Sequence, residues 1–361
     1  MLRPRVAIGT IPAYHPPLAG RDGIRLDFNE NTIGCSPRVL ERLRQIGIED
    51  LSRYPEKQLA EDRMAKFLGV ASSEVLLTNG VDEGIHLLCQ TYLEPGDQAL
   101  IIVPTYSMYR IYMMAAGARV ISVPAGRDFA FPMADVREHI TTRTRLIAIA
   151  NPNNPTGAFV PIDELLELAA YAPDAAILID EAYFEFCGQS VLPRRHEHSN
   201  IFVARTFSKA YGLAGLRMGA LMGDADQVLS VRRVCSPYNV NCAALACLPV
   251  ALDDHAYVQR YVSEILASRT RLQDALQTAG IPFWPSQANF VLMRVGATPD
   301  DSKHFTERMR TRGILVRDRS ANYGCEGCVR ITLGPKEHTD RLLNALHETF
   351  EELDIAQGTR S

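Results

Sequence analysis

The chain has 361 residues, enough for a large and a smaller domain with a core each. Hydrophobic residues make up 47% and charged residues 22%, which excludes extended disorder outside the ends. A formal charge of −4 argues against nucleic acid or an anionic membrane as partner, although a few local arginines can still hold a small anion.

The first stretch, MLRPRVAIGTIPAYHPPLAG, is broken repeatedly by proline and lacks the apolar core of a secretory leader. No later run approaches the roughly 18 apolar residues of a membrane helix, so a cytoplasmic protein is expected. Between about residues 70 and 235, β-rich runs alternate with helical ones. Strands are expected at 74–78, 98–104, 119–124, 145–150, 176–180, 200–205 and 218–222. Runs such as ALIIV and LIAIA are continuously apolar, as in strands buried on both faces. Helices are expected between them, for example at 81–92, 107–116 and 161–171. This alternation predicts an α/β fold with a mostly parallel seven-stranded sheet covered by helices. The last third predicts a smaller α/β unit, mainly helical from about 240 to 280. Short strands at 289–294, 314–317 and 329–332 and a closing helix at 337–353 complete it. The expected division is 45–240 for the large domain and 1–44 with 241–361 for the small one.

The segments at the strand ends carry the chemistry. In open α/β sheets ligands bind beyond the carboxyl ends of the strands. There this chain places Thr78-Asn79-Gly80-Val81-Asp82-Glu83, Pro104-Thr105-Tyr106, the run NPNNPTG at 151–157, Asp180-Glu181-Ala182-Tyr183 and Thr206-Phe207-Ser208-Lys209. Lys209, with Thr206, Ser208 and Arg217 around it, could hold an aldehyde as an imine and a phosphate by hydrogen bonds. The competing phosphate site, a GxxxxGK[ST] loop, does not occur. Val81 and Asp82 open a helix whose free N–H groups suit an anion; an Asp82 cap is the simpler reading of that segment in isolation. Asp180 ends a buried strand, where a carboxylate can pair with a pyridinium nitrogen, cap a helix or bind magnesium. Tyr183 stands within reach of a ring hydroxyl in the first case.

Eight cysteines are scattered mainly in apolar segments, where a thiol behaves as a small hydrophobe. Cys325-Glu-Gly-Cys328 has CxxC spacing, but no second CxxC or HxxxH supplies the remaining zinc ligands. It is read as a Gly-rich turn between strands.

Together these motifs resemble the fold-type-I pyridoxal-phosphate enzymes, and most closely the histidinol-phosphate aminotransferases. The likeness runs through LDFNEN at 26–31, RYP at 53–55, NPNNPTG, DEAY at 180–183, SKAYGLAGLR at 208–217, PYNVN at 237–241 and VRIT at 329–332. It implies pyridoxal 5′-phosphate bound to Lys209, with Asp180 on the ring nitrogen. Asn154 and Tyr183 would reach the ring oxygen, and Tyr106 would stack on the ring. Thr206, Ser208, Arg217 and the N–H groups of Val81 and Asp82 would hold the phosphate. Tyr54 of RYP would reach the cofactor of a neighbouring subunit, which implies a homodimer. Arg330 would bind the carboxylate of an amino acid such as glutamate, or the phosphate of histidinol phosphate in its turn. Arg317 and Tyr14 would add donors there, and Tyr238 would line the imidazole pocket.

Two features depart from the family pattern. Val81 stands where a serine is usual, and Tyr14-His15-Pro16-Pro17 replaces a more usual Tyr-x-Pro-Gly. The resemblance implies transfer of an amino group between histidinol phosphate and 2-oxoglutarate. An aromatic amino acid aminotransferase or a threonine-phosphate decarboxylase on the same scaffold are the alternatives. A cofactor-sensing regulator would need an added DNA-binding region, for which the enzyme scaffold leaves no room in 361 residues.

Overall fold

The structure, a computed structural model, describes residues 2–13, 20 and 22–355. Tyr14 and the segment after it lie outside the described residues.

The strands in chain order are β1 (Ile24–Arg25), β2 (Val75–Asn79), β3 (Gln98–Val103), β4 (Arg119–Pro124), β5 (Thr144–Ala150), β6 (Ala176–Asp180), β7 (Ile201–Thr206) and β8 (Met218–Met222). They continue with β9 (Phe283–Trp284), β10 (Phe290–Arg294), β11 (Ile314–Leu315), β12 (Arg317–Asp318) and β13 (Cys328–Thr332). The expected strands of the large sheet are found to within about a residue at each end.

The large sheet has the order β2-β8-β7-β6-β5-β3-β4. Every pairing is parallel except those of β8, which runs against both β2 and β7. All residues of β6 and β7 are buried, because helices cover both faces and leave no side for polar alternation. The parallel direction brings the carboxyl ends of β2, β3, β5, β6 and β7 to one edge. The reversal of β8 brings its beginning, just after Arg217, to that same edge, with Met218 opposite Asn79 and Gly219 opposite Thr206.

The smaller sheet, β12-β13-β10-β9, is antiparallel throughout. The single strand expected at 314–317 is in fact two. Ile314 and Leu315 pair with β1, and the backbone N–H of Leu26 then donates to Leu315 O at 2.8 Å. Arg317 turns to pair with β13, directly opposite Arg330. The chain changes sheets at Val316, a buried residue that stacks into the core rather than continuing either ladder. The helical region after 240 is likewise divided, into Cys242–Asp253 and His255–Thr278, with Asp254 out of helical geometry between them. The closing helix is Lys336–Glu352. No helix among the described residues is long and apolar enough to cross a membrane.

Candidate active site

A cavity of about 310 Å3 opens at the strand-end edge of the large sheet, and the smaller sheet forms its far wall. Ligand pockets run from about 300 to 1,000 Å3, so the space is of the size that takes a small molecule. Its lining includes Val81, Asp82, Tyr106, Asn154, Asp180, Tyr183, Thr206, Ser208, Lys209, Arg217, Arg317 and Arg330. Thus twelve residues singled out in the sequence meet around one space. Tyr54 and Tyr238 do not join them. They stack on each other at 4.2 Å, and both face solvent, 79% and 55% exposed.

At one end the cavity gathers groups that could hold an anion. β2 runs into Gly80, which has φ 78° and caps the helix Val81–Tyr92. That φ strains any residue with a Cβ, and a Cβ there would also crowd the Arg217 guanidinium, so glycine suits both the turn and the close approach. Arg217 itself sits in the left-handed region at φ 56°, in the tight passage into β8. Its Nη2 meets Asp82 Oδ2 at 3.2 Å, and Asp82 Oδ1 accepts a 2.8 Å hydrogen bond from the Tyr106 hydroxyl. Asp82 therefore fixes both Arg217 and Tyr106, a role the sequence did not reveal. The first N–H groups of a helix lack intrahelical acceptors and remain available to an anion. The buried Thr78 hydroxyl beside them has no hydrogen-bond partner among the described residues. The departure at Val81 removes a hydroxyl and leaves these donors in place.

At the floor lies Asp180. Its Oδ1 accepts from the backbone N–H of Ala182 at 3.1 Å and its Oδ2 from the Tyr109 hydroxyl at 2.7 Å. Burial pushes the carboxyl up to about 6, and those two donors oppose the shift. A buried carboxylate with incomplete compensation favours a cationic partner, which a protonated ring nitrogen would be. The acid also sits opposite Ala204 in the middle of the sheet edge, where no metal-binding cluster occurs among the described residues.

Asn154 and Tyr183 also line the cavity. Asn151 clasps its own loop, donating to Val160 O at 3.0 Å and accepting from Val160 N–H at 2.7 Å. Asn153 Nδ2 donates to Pro104 O at 2.9 Å. Those two asparagines hold the loop, and Asn154 is the one presented to the cavity. The Tyr183 hydroxyl accepts from Asn29 Nδ2 at 2.9 Å, and burial raises its pKa. Asn29 is in turn bound to Thr332 on β13 at 3.0 Å. It sat in plain view within LDFNEN, but nothing in its local spacing signalled that its amide crosses to Tyr183.

Lys209 donates from Nζ to the carbonyl of Phe28 at 3.0 Å. Burial, with Arg330 nearby, lowers its pKa to about 8, so a useful fraction is neutral and nucleophilic at mildly basic pH. On the opposite wall Arg330 is 5% exposed. Its Nη1 donates to Asn154 Oδ1 at 2.5 Å and its Nη2 to Asp27 O at 2.8 Å. Burial and the neighbouring Arg319 push its pKa down, and its guanidinium lies over the Phe290 ring at 5.3 Å. Arg317 lies over Phe28 at 5.1 Å. Arg319, which no sequence motif marked, also lines the cavity. Only the alternation of β12 beyond Asp318 could have pointed to it.

Cys325 and Cys328 are free and buried, in two successive tight turns leading into β13. The backbone N–H of Cys325 donates to Asn322 O at 3.0 Å, and that of Cys328 to Cys325 O at 2.9 Å.

A model of the aminotransferase class I and II family matches residues 21–346. Histidinol-phosphate aminotransferase 1 of a Nostoc species is 35% identical over 346 residues, 95% of this chain and 96% of the relative. Histidinol-phosphate aminotransferase 1 of Thiobacillus denitrificans is 36% identical over 92% of this chain and 87% of the relative. Among solved structures, histidinol-phosphate aminotransferase from Sinorhizobium meliloti in complex with pyridoxal-5′-phosphate superposes with a TM-score of 0.87. It is 25% identical, over 98% of this chain and 99% of that one. The donor set at one cavity and these likenesses over nearly the full length agree: the chain belongs to the aminotransferase class I and II family, as a pyridoxal-phosphate-dependent transaminase of fold type I.

Proposed function

We propose that the chain moves an amino group between histidinol phosphate and 2-oxoglutarate, giving imidazole-acetol phosphate and glutamate, a step of histidine biosynthesis. The observation that carries this reading is the direct cross-strand placement of Arg317 and Arg330 on the cavity wall. Like charges directly opposite in a sheet are destabilising. An anionic substrate group bound between them would offset that repulsion, and a phosphate offers more charge than a carboxylate.

Bound pyridoxal phosphate supplies a carbonyl carbon for the incoming amine and a ring that accepts electrons. Thr206, Ser208, Arg217 and the N–H groups of Val81 and Asp82 would hold its phosphate. Tyr106 would cover the ring face, and Asp180 would keep the ring nitrogen protonated. Asn154 and Tyr183 would donate to the ring oxygen. Lys209 Nζ would carry the cofactor at rest, then take the proton from the donor Cα and return it on the cofactor side. Arg330 would hold the carboxylate of glutamate in one half-reaction and the phosphate of histidinol phosphate in the other. Arg317 and Tyr14 would assist with the phosphate.

We further propose a cytoplasmic homodimer. Close to Tyr54 in the sequence, Ile48, Leu51 and Leu59 are 83%, 70% and 75% exposed. Exposed apolar side chains in such number support an interface on this face. A second copy there would bring Tyr54 to the partner's cofactor phosphate and Tyr238 to the rim of the partner's substrate cavity. Residues 45–240 would act as the cofactor-binding domain, with 1–44 and 241–361 as the domain that covers the substrate.

The test is a donor comparison with 2-oxoglutarate as acceptor. Histidinol phosphate is expected to exceed dephosphorylated histidinol in kcat/KM by about two orders of magnitude, since charged hydrogen bonds are worth about 1.5–3 kcal/mol. A better rate with phenylalanine or tyrosine would replace this reading with an aromatic aminotransferase. Loss of CO2 without consumption of 2-oxoglutarate would replace it with a decarboxylase.

A further inference from the structure

The helix Ser107–Ala116 begins at the cavity, and two tyrosines at its start have different duties. Tyr106 lines the cavity and donates to Asp82, at the anion end. Tyr109, about one turn later, is fully buried, and its hydroxyl donates to Asp180 Oδ2 at 2.7 Å. The two rings meet edge to face at 5.6 Å, so the position of one restrains the other.

We propose that Tyr109 is a positioning residue of the transamination: its hydroxyl fixes the plane of the Asp180 carboxylate and holds it ionised, so that the cofactor ring nitrogen keeps its proton. This rests on the assignment of Asp180 to the ring nitrogen. The geometry is specific. Asp180 has two side-chain oxygens, and the Ala182 N–H, fixed by the backbone, takes Oδ1. Without a donor on Oδ2, the carboxylate could rotate about its last torsion, which is broad and soft for aspartate. Tyr109 closes that freedom from the side away from the solvent. It also weakens the carboxylate as a base, because a donated hydrogen bond favours the charged form. A more basic carboxylate would compete for the proton shared with the ring nitrogen, and a ring without that proton accepts electrons less well. The burial that raises Asp180 acts in the same harmful direction, so the tyrosine opposes a cost inherent in the site.

The test uses holoenzyme of Tyr109→Phe, Asp180→Asn and the double variant. Phenylalanine keeps the ring and its edge contact with Tyr106, so only the hydroxyl is removed. A less protonated ring withdraws less charge from the lysine-borne nitrogen, which then holds its proton to higher pH. In Tyr109→Phe the midpoint of the pH-dependent visible absorption change is therefore expected to rise, by about one pH unit. The kcat should fall about 10- to 100-fold with KM nearly unchanged. Asp180→Asn should shift the midpoint by itself, and adding Tyr109→Phe to it should bring no further shift. A normal midpoint in Tyr109→Phe, with Asp180→Asn shifted, overturns the role of Tyr109 and leaves Asp180 standing. A lowered Tm with an unmoved midpoint assigns Tyr109 to packing alone and overturns it too. A normal midpoint in Asp180→Asn overturns the assignment of Asp180 beneath it.

Discussion

Replacing Arg330 by lysine separates charge from geometry at the substrate wall. The guanidinium makes two hydrogen bonds in different directions, to Asn154 Oδ1 at 2.5 Å and Asp27 O at 2.8 Å, and lies over Phe290. A lysine keeps the cation but is a single point, without the planar fork that can grip protein and substrate together. In Arg330→Lys the expected loss is about one charged hydrogen bond to each substrate, roughly 1.5–3 kcal/mol. That corresponds to about a 10- to 150-fold fall in kcat/KM. Because Arg330 is assigned to both half-reactions, glutamate and histidinol phosphate should weaken by similar factors. In Arg317→Ala the fall should be several-fold larger for histidinol phosphate than for glutamate. Single-turnover kinetics of each half-reaction, followed by the cofactor's absorption, provide the measurement. If Arg330→Lys spared glutamate while crippling histidinol phosphate, or if Arg317→Ala struck both alike, the shared-wall reasoning would fail.

Lys209→Ala should abolish the near-visible band of the protein-bound cofactor and nearly all turnover; wild-type transamination in the variant would contradict the central assignment. Gly80→Ala should strain the backbone at φ 78° and push its new Cβ against the Arg217 guanidinium. Weaker cofactor retention on dialysis, with the fold intact by circular dichroism, is the expected result. The apoenzyme should also show a pH signature. Lys209 has its pKa lowered to about 8 in the folded chain, below the ordinary 10.5, so the unfolded chain binds more protons between those values and stability rises with pH across that window. Lys209→Met should therefore stabilise the apoenzyme near pH 7, by on the order of 3 kcal/mol, with the gain shrinking as pH rises toward 10.5. Urea titrations at a series of pH values would reveal a flat difference if the lysine were instead well solvated.

Much of this site was legible because a parallel sheet delivers the ends of its strands to one edge, so short motifs far apart in sequence report a common location. Lys209, Asp180, Asn154, Tyr183 and Arg217 all meet there for that reason. Strand direction was less legible. β8 has the same continuous apolar character as its neighbours, and nothing in Met218–Met222 marks it as the reversed strand. The break between β11 and β12 was hidden for a similar reason, since Ile-Leu-Val-Arg reads as one run whichever sheet each residue joins. The partners that hold functional side chains were not legible at all. Tyr109 reaches Asp180 across 71 positions, and Asn29 reaches Tyr183 across 154. Such bonds exist only once the layers are assembled, and a buried tyrosine on an apolar helix face otherwise reads as core.

Phe28 serves two neighbours with two different parts of itself. Its carbonyl receives the amine of Lys209, and its ring lies beneath the guanidinium of Arg317. The first contact depends only on the main chain, so sequence drift at position 28 cannot remove the acceptor; the second depends wholly on the aromatic ring. A neutral carbonyl also releases the amine more readily than a carboxylate would, since no ion pair must be broken. A substitution at position 28 is therefore expected to loosen Arg317 while leaving Lys209 its acceptor, so the two walls of the cavity are tied to one residue by bonds of unequal tolerance.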